Sequence, residues 1–243
     1  MNIQGLFWTI LDFFLPSSCT SCNSPVGGSG IPHFCATCWN DFSLLPGPVC
    51  PRCGRPFESP EALTYSPGHL CLSCRKELPH FDQSVSVGQF EGTLREAIHV
   101  FKYKPCRSLG KPLSRWMAMN IGFEPGIDIV MPVPLHKKRL RERGFNQALL
   151  LAHGISKQYG LALSFDNLAR TRHTKPQVEL SGKDRIANVA GAFSLHRPGL
   201  LSDRSVLLID DVYTTGATLN ECGRVLKDAG ASRVMALTLA RAG

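Results

Sequence analysis

The segment that most constrains the fold is an apolar run that leads into two aspartates and then into a loop rich in threonine. Residues 206–209 are continuously apolar, as expected for a parallel strand that is covered on both faces. Asp210 and Asp211 follow this run. Open α/β sheets bind their ligands outside the carboxyl ends of parallel strands. The segment therefore predicts an α/β fold, a parallel sheet with helices on both faces, and a ligand site beside the aspartates.

The loop after the aspartates has the features of a phosphate site. A helical pattern begins at Leu219, so the free amide groups of the loop lie at a helix N-terminus, which attracts anions. Glycine lets the backbone approach an anion, and threonine hydroxyls add donors. Carboxylates only accept hydrogen bonds, so the aspartates favour ribose hydroxyls. Ordinary helix caps would explain one Asp and one Thr, but not the whole segment. The loop residues are Thr214, Thr215, Gly216, Ala217 and Thr218.

Residues 210–218 resemble the phosphoribosyl pyrophosphate (PRPP) motif of type I phosphoribosyltransferases, in which two acidic residues precede Thr-Thr-Gly-Ala-Thr. The resemblance implies that Asp210 and Asp211 hold the ribose hydroxyls as the catalytic pair, and that the loop holds the 5'-phosphate. It implies that Mg²⁺ bridges the diphosphate and the hydroxyls, and that pyrophosphate leaves from the ribose C1. The acceptor of the phosphoribosyl group cannot be read from the sequence.

A basic loop is predicted after the apolar strand at residues 128–134. Guanidinium and ammonium groups at the carboxyl end of a strand suit a diphosphate. A solvated charge run or nonspecific contact with nucleic acid is the alternative. The basic residues of the loop are Lys137, Lys138, Arg139, Arg141 and Arg143.

Four Cys-x-x-Cys pairs lie within 56 residues of the first part of the chain. The first two pairs are separated by 12 residues and the last two by 17, which are spacings typical of four-sulfur zinc sites. A disulfide framework is the alternative, and a reducing cytoplasm disfavours it. Consecutive pairing gives two structural zinc sites, although an interleaved arrangement stays open. The predicted ligands are Cys19, Cys22, Cys35 and Cys38, and then Cys50, Cys53, Cys71 and Cys74.

Charge divides the chain at the same place as the cysteines. Residues 1–78 carry 4 Lys and Arg against 5 Asp and Glu, whereas residues 79–243 carry 23 (27 − 4) against 14 (19 − 5). We therefore predict two domains, a helix and double zinc ribbon at residues 1–78 and an α/β domain at residues 79–243. The positive excess of the second domain favours a polyanionic partner, either a polyphosphate or a nucleic-acid backbone.

The apolar start of the chain is too short to span a bilayer and lacks a basic leader, so we expect a cytoplasmic protein without a transmembrane segment. Its apolar residues, between Ile3 and Phe14, recur at helical spacing. They predict an amphipathic helix that docks on its own protein, with a membrane surface or a partner as the alternative.

Three further features carry predictions. The polar residues 170–182 predict a mobile loop, which in the phosphoribosyltransferases closes over the bound diphosphate, with an exposed connector as the alternative. Lys102 and Lys104 follow a short helical pattern and are interpreted as a solvated helix end. Cys106 and Cys222 lie outside the four pairs, and we expect buried, inert thiols at both positions.

The segments Pro-Val-Pro-Leu-His-Lys-Lys-Arg (132–139) and Arg-Gly-Phe-Asn-Gln (143–147) resemble the ComF family, which includes ComFC-like and GntX-like proteins. The resemblance covers nearly the whole chain. It implies a double zinc ribbon before a phosphoribosyltransferase domain, a pyrophosphate-binding role for the basic loop, and a part in DNA uptake or use during competence. Two hypotheses follow: a pentosyltransferase of unknown acceptor, or a non-enzymatic uptake factor that binds single-stranded DNA and the uptake machinery.

Overall fold

The structure is a computed structural model, and it describes residues 18–26, 30–59, 63, 66–104, 106–122, 126–174 and 187–243. The amphipathic helix predicted near the N-terminus lies outside these residues. So does most of the mobile loop predicted at residues 170–182. Within the described ranges, no helix combines the length and the apolar character that crossing a membrane requires.

The described chain has short helices in its cysteine-rich part and an alternation of strands and helices after it. The short helices are α1 (Ala36–Asn40) and α2 (Leu72–Lys76). The strands are β1 (Gln83–Gln89), β2 (Ile129–Pro132), β3 (Ala162–Leu163), β4 (Leu168–Arg170), β5 (Phe193–Leu195), β6 (Ser205–Tyr213) and β7 (Arg233–Arg241). The longer helices are α3 (Gly92–Tyr103), α4 (Gly110–Met119), α5 (Lys137–Arg143), α6 (Gln147–Tyr159) and α7 (Ala217–Asp228).

Five of the described strands form a parallel sheet in the order β1-β7-β6-β2-β3, and β4 pairs with β5 in a separate antiparallel ladder. β6 is the central strand of the large sheet. Val206 and Leu208 pack into the apolar core on one face, and Leu207 and Ile209 pack into the core on the other. Each of these four side chains is at most 4% exposed, which confirms the predicted central strand and the α/β fold class.

The sheet opens beside β6, because β2 is shorter than its neighbour. β2 pairs with β6 only as far as Pro132, which lies opposite Ile209. β6 continues along β7 to Tyr213, opposite Arg241. The predicted strand ended at the aspartates, whereas the observed strand runs past them, because β7 continues to supply hydrogen-bond partners. The aspartates therefore lie beside the end of β2, where the sheet leaves room for a ligand.

The cysteine-rich part covers the free edge of β1. The Gln89 amide donates to the Ser43 carbonyl at 3.0 Å, and the Ser84 amide donates to the Arg52 carbonyl at 2.9 Å. These bonds satisfy backbone groups of an edge strand that β7 pairs on its other side.

An aromatic cluster joins the two parts of the chain through side chains. The ring of Phe42 lies 4.6 Å from that of Trp39 and 5.3 Å, edge-on, from that of Trp116 in α4. Aromatic pairs at such distances and angles add to the stability that burial gives. The division into residues 1–78 and 79–243 stays a prediction, and across it the two parts share one apolar core.

The basic segment that we predicted as a loop is helical over Lys137–Arg143, so that prediction is wrong. The His136 Nδ1 accepts a hydrogen bond from the Lys138 amide at 3.3 Å and begins the helix. Gly144, at φ 75°, ends it in the left-handed conformation that glycine adopts without steric cost. This helix has 7 residues, about two turns, which are too few for a periodic pattern to be visible in the sequence.

Candidate functional site

Asp210 and Asp211 have different surroundings, although they are neighbours in β6. Asp210 Oδ1 accepts a hydrogen bond from the amide of Asp211 at 2.8 Å. Asp211 Oδ1 lies 2.9 Å from Lys102 Nζ in an ion pair whose side chains are only 12% and 17% exposed. The interpretation of Lys102 as part of a solvated helix end is therefore wrong, whereas Lys104 is exposed as predicted.

The pKa of Asp210 is raised to about 7, mainly by burial and then by the negative charge of Asp211. Lys102 and Arg170 oppose this rise through their positive charges. Burial in turn lowers the pKa of Arg170. Burial thus removes the side chains of Asp210 and Arg170 from water, and a polar ligand in the site would supply hydrogen-bond partners for them.

The threonine loop turns sharply between β6 and α7. Gly216 has a φ of 79°, and a Cβ at this position would lie 2.2 Å from the Tyr213 hydroxyl, so no larger residue fits. The Thr215 hydroxyl accepts a hydrogen bond from the Ala217 amide at 3.4 Å. α7 begins at Ala217 and runs for 12 residues, so the first amides of this helix point toward the loop.

A cavity of about 500 Å³ brings the two predicted groups together. The predicted residues that line it are Asp210, Asp211, Thr214, Thr218, Arg139 and Arg143. The remaining predicted residues stand outside the lining: Thr215, Gly216 and Ala217 in the loop, and Lys137, Lys138 and Arg141 on the outer side of α5. Of these, Lys137, Lys138 and Arg141 are exposed to solvent.

Two arginine side chains in the cavity have hydrogen-bond donors without a partner in the described part of the chain. Arg143 Nη1 donates to Gln147 Oε1 at 3.2 Å, and its guanidinium lies 5.6 Å from the centre of the Tyr103 ring. The Nε atoms of Arg143 and Arg170 are buried and have no hydrogen-bond partner among the described residues. Buried donors without a partner are costly, and an anionic ligand would accept hydrogen bonds from them.

We predicted Lys102 as a solvated helix end and Arg170 as the start of a mobile loop, whereas Lys102 lines the cavity and Arg170 ends strand β4 and lines it too. Local patterns could have placed both. Lys102 follows Ile98 by four residues, so it lies on the buried stripe of α3. Arg170 follows Leu168 by two residues in β4 and so shares the inward face of that strand. The Arg170 guanidinium contacts the Thr174 hydroxyl and lies 5.3 Å from the Phe193 ring centre.

Aromatic rings form another part of the cavity wall that the sequence analysis missed. The rings of Phe90 and His99 lie 5.9 Å apart, and those of His99 and Tyr103 lie 6.0 Å apart. All three line the cavity, and Tyr103 is 65% exposed. Phe90 follows β1, whereas His99 and Tyr103 lie in α3, so the three rings come together only in the folded chain.

The eight paired cysteines form two groups of four, as consecutive pairing predicts: Cys19, Cys22, Cys35 and Cys38 in the first, and Cys50, Cys53, Cys71 and Cys74 in the second. The sulfur atoms of each group lie within 4.8 Å of one another. Two of these separations, 3.7 Å for Cys22 to Cys35 and 3.6 Å for Cys53 to Cys71, are close to the edge of about 3.8 Å in a ZnS₄ tetrahedron with bonds of about 2.3 Å.

Backbone amides support sulfur atoms in both groups. The Cys38 amide donates to Cys35 Sγ at 3.5 Å, and the Cys71 amide donates to Cys50 Sγ at 3.4 Å. Such donors stabilise thiolates and orient metal ligands. Cys106 and Cys222 are buried, as expected, and burial raises the pKa of the Cys222 thiol well above its usual value.

These features define a class of protein: a double zinc ribbon joined to a phosphoribosyltransferase-type domain. Family models agree, because a double zinc ribbon domain matches residues 10–67 and a phosphoribosyl transferase domain matches residues 146–243. The four-cysteine groups and this match support structural zinc in the N-terminal region.

Relatives extend over most of the chain. Competence protein F of Haemophilus influenzae is 32% identical over 215 residues, which cover 86% of this chain and 90% of that protein. The DNA utilization protein YhgH of Escherichia coli is 30% identical over 237 residues, covering 93% and 98%. Competence protein ComFC of Bacillus subtilis is 27% identical over 216 residues, covering 85% and 83%. The chain belongs to the competence protein F (ComF) family.

Among solved structures, the chain is similar to the glutamine PRPP amidotransferase of B. subtilis complexed with ADP and GMP. The identity is 20%, the TM-score is 0.42, and the match covers 58% of this chain and 30% of that chain. The order and direction of the strands, and not this partial overlap, define the fold described above.

Proposed function

We propose that this protein binds PRPP in the 500 Å³ cavity and acts as a phosphoribosyltransferase whose acceptor is not yet identified. The carrying observation is that one cavity holds the two aspartates, two of the loop threonines and two arginines of α5. The carboxylates of Asp210 and Asp211 accept hydrogen bonds from the ribose hydroxyls. Their negative charge also favours the positive charge that develops on the ribose as pyrophosphate leaves.

The 5'-phosphate binds at the threonine loop, where the amides at the start of α7 and the hydroxyls of Thr214, Thr215 and Thr218 donate to its oxygens. Gly216 and Ala217 contribute backbone amides. This assignment agrees with the position of Thr214 and Thr218 in the cavity lining. A ribose between the loop and the aspartates would leave the part of the cavity that α5 lines for the diphosphate.

The diphosphate binds beside α5, through Arg139 and Arg143 in the cavity. Arg170 adds a third guanidinium, which carries a buried Nε without a partner in the described chain. Lys137, Lys138 and Arg141 face solvent and act at longer range, by raising the local concentration of polyanions. Several guanidinium groups suit the two phosphates of the leaving group better than single ammonium charges.

Mg²⁺ fits this donor set, because it binds through few protein carboxylates and through substrate phosphates. When it is bound with PRPP, it supplies positive charge that neutralises the diphosphate. Asp210 and Asp211 are the carboxylates on this chain that would approach it. The ion pair of Asp211 with Lys102 leaves the second carboxylate oxygen of Asp211 for the ligand.

Each group of four cysteines holds one structural zinc ion in this proposal. Four thiolates complete the tetrahedral coordination and leave no position for a substrate. Thiolates that stay reduced are typical of the cytoplasm, where we place the protein. The two ions add to the apolar core that the cysteine-rich part shares with the rest of the chain, since a segment of this length forms little core by itself.

The names of the relatives support a role in the uptake or use of DNA, with the uptake machinery as a partner. A second function, the non-enzymatic binding of single-stranded DNA, is favoured by the exposed Tyr103 ring beside the Arg143 guanidinium. Aromatic rings beside cations bind single strands through stacking and charge.

Calorimetric titration of the protein with PRPP and Mg²⁺ tests the main proposal. Pyrophosphate and ribose 5-phosphate should each compete with PRPP, because they share its two anchoring points. Pyrophosphate release with a panel of nucleobases and amines then identifies the acceptor. Absence of PRPP binding would contradict the proposal, and binding without turnover of any acceptor would favour the binding protein.

A further inference from the structure

Tyr213 and Arg241 form a stacked pair behind the threonine loop. They end β6 and β7 at positions that lie opposite each other in the register. The Arg241 guanidinium lies 4.1 Å from the centre of the Tyr213 ring, and both side chains are 5% exposed. An arginine buried to this extent needs partners for its charge and its donors.

One partner of Arg241 belongs to the second group of cysteines. Arg241 Nη1 donates a hydrogen bond to the Cys53 carbonyl at 2.8 Å. The turn that carries this carbonyl is held firmly against β1, since a Cβ at Gly54 would lie 2.5 Å from the Ser84 carbonyl oxygen. The position of the carbonyl therefore depends on the shape of the turn between Cys50 and Gly54, whose two cysteines belong to the second group of four.

The other side of the pair supports the loop. The Tyr213 hydroxyl lies 2.2 Å from the position that a Cβ at Gly216 would take, so the ring approaches the Gly216 backbone closely. Contacts therefore run without a gap from the Cys53 carbonyl through Arg241 and Tyr213 to Gly216. Among the ion pairs of the described residues, none involves Arg241.

We infer that Arg241 and Tyr213 are positioning residues that couple the second cysteine group to the phosphate loop. This inference rests on the proposed binding of PRPP. When zinc holds Cys50, Cys53, Cys71 and Cys74, the Cys53 carbonyl fixes the guanidinium, the guanidinium fixes the Tyr213 ring, and the ring fixes Gly216 in its left-handed conformation. Loss of the metal frees the carbonyl, leaves a buried cation short of an acceptor, and loosens the loop that binds the 5'-phosphate.

Coupling of this kind is reciprocal. If the metal-bound turn favours PRPP binding, then bound PRPP must favour retention of the metal in the second group. A residue that only stabilises the fold would lower the melting temperature without linking the two ligands. The link between PRPP and zinc therefore separates a positioning role from ordinary packing.

The experiment uses the full chain loaded with zinc, and variants in which the pair is broken. Arg241→Met keeps the length of the side chain but removes the donors, and we expect the Kd for PRPP to rise about tenfold, the effect of losing one charged hydrogen bond. Arg241→Lys retains a cation that can reach the Cys53 carbonyl and should recover part of the affinity. Arg233→Met, the same change at the other end of β7, is the matched control and should bind PRPP like the parent.

Zinc release to a chelator, followed with a colorimetric indicator, supplies the second measurement. Saturating PRPP should slow the release of one of the two ions from the parent, and this protection should be lost in Arg241→Met. If Arg241→Met fails to fold, Tyr213→Phe decides, because it removes only the hydroxyl under Gly216 and should weaken both PRPP binding and the protection of zinc.

The outcomes separate the two proposals. A parent that does not bind PRPP overturns the proposed function, and this inference with it. If the parent binds PRPP and the folded Arg241 and Tyr213 variants bind it equally well, the inference alone is overturned. The same holds if PRPP slows zinc release equally in the parent and in these variants.

Discussion

Lys102 Nζ lies 2.9 Å from Asp211 Oδ1 at the end of the opened sheet, and both side chains are largely buried. The pair joins α3 to β6, two elements that are more than one hundred residues apart in the sequence. Breaking a buried pair leaves an uncompensated charge, so we expect Lys102→Met to lower the free energy of unfolding by about 1–3 kcal/mol. Urea denaturation at pH 8 measures this change. Lys104→Met, two residues away at an exposed position, should alter stability little, and an equal effect of the two variants would contradict the prediction.

Asp210→Asn should stabilise the protein in a manner that depends on pH. The pKa of Asp210 is raised to about 7 in the folded protein, from an ordinary value of 3.8, so the ionised carboxylate opposes folding. This cost is absent below pH 4, grows as the pH rises, and is complete above pH 7. The variant should therefore melt higher than the parent at pH 8, and this gain should shrink toward pH 5.

Thermal melts at a series of pH values test the effect of Asp210→Asn. Asp203→Asn is the matched control: Asp203 is exposed and has a φ of 56°, which asparagine tolerates. A stabilisation by Asp210→Asn that is equally large at pH 5 and pH 8 would show that burial of charge is not its cause.

The double variant Asp210→Asn with Asp211→Asn tests the site itself. Each lost charge-assisted hydrogen bond should cost about 1.5–3 kcal/mol, so PRPP affinity measured by calorimetry should fall at least tenfold, by this estimate. A melting curve must show that the variant is folded, because Asp211 also pairs with Lys102. Unchanged affinity in a folded double variant would refute the assignment of both aspartates.

Elemental analysis should find two zinc ions in each protein chain, one for each group of four cysteines. Cys50→Ser should retain one of them. We expect its loss of stability to reach beyond the cysteine-rich part, because the Cys53 carbonyl holds Arg241 in the sheet. Absence of zinc, or an iron–sulfur absorption band, would end the zinc assignment, and unfolding confined to residues 1–78 would contradict the predicted spread.

Single-stranded DNA should bind weakly and with a strong dependence on salt. Replacing Lys137, Lys138 and Arg141 by Gln removes three exposed charges outside the cavity lining, and should lower the slope of log K against log salt by about 2. Fluorescence anisotropy over a range of NaCl concentrations measures it. The same change at Arg55, Arg75 and Lys76 is the control, since that region has no excess of positive charge. Equal losses in the two triple variants would show that α5 is not the contact.

The part of the site that lies in one continuous segment could be predicted from the sequence. Strand β6, the two aspartates and the threonine loop follow one another in the sequence, and each residue type there suits its local role in a strand or a phosphate loop. The spacing of the cysteines predicted the two groups of four for the same reason, because it is a local pattern. The order of strands in the sheet could not be predicted from such patterns, because β1 and β7 meet across about 150 residues.

Lys102 and Arg170 contact partners that are distant in the sequence. Lys102 has the appearance of a helix-end lysine until Asp211 is placed beside it, and Arg170 belongs to a polar segment until β5 brings Phe193 under its guanidinium. Whether a charge is solvated or buried depends on the rest of the fold, and a pattern within one helix or strand contains only part of that information.

The hydrogen bonds from Gln89 to Ser43 and from Ser84 to Arg52 have a consequence for solubility. β1 is an outer strand of a parallel sheet, and an uncovered strand of that kind is a template on which another chain can add. The backbone of the cysteine-rich part occupies that template at Ser43 and Arg52. If the cysteine-rich part lost its zinc and unfolded, this edge would be exposed, so the metal-free protein should aggregate more readily than the zinc-loaded one.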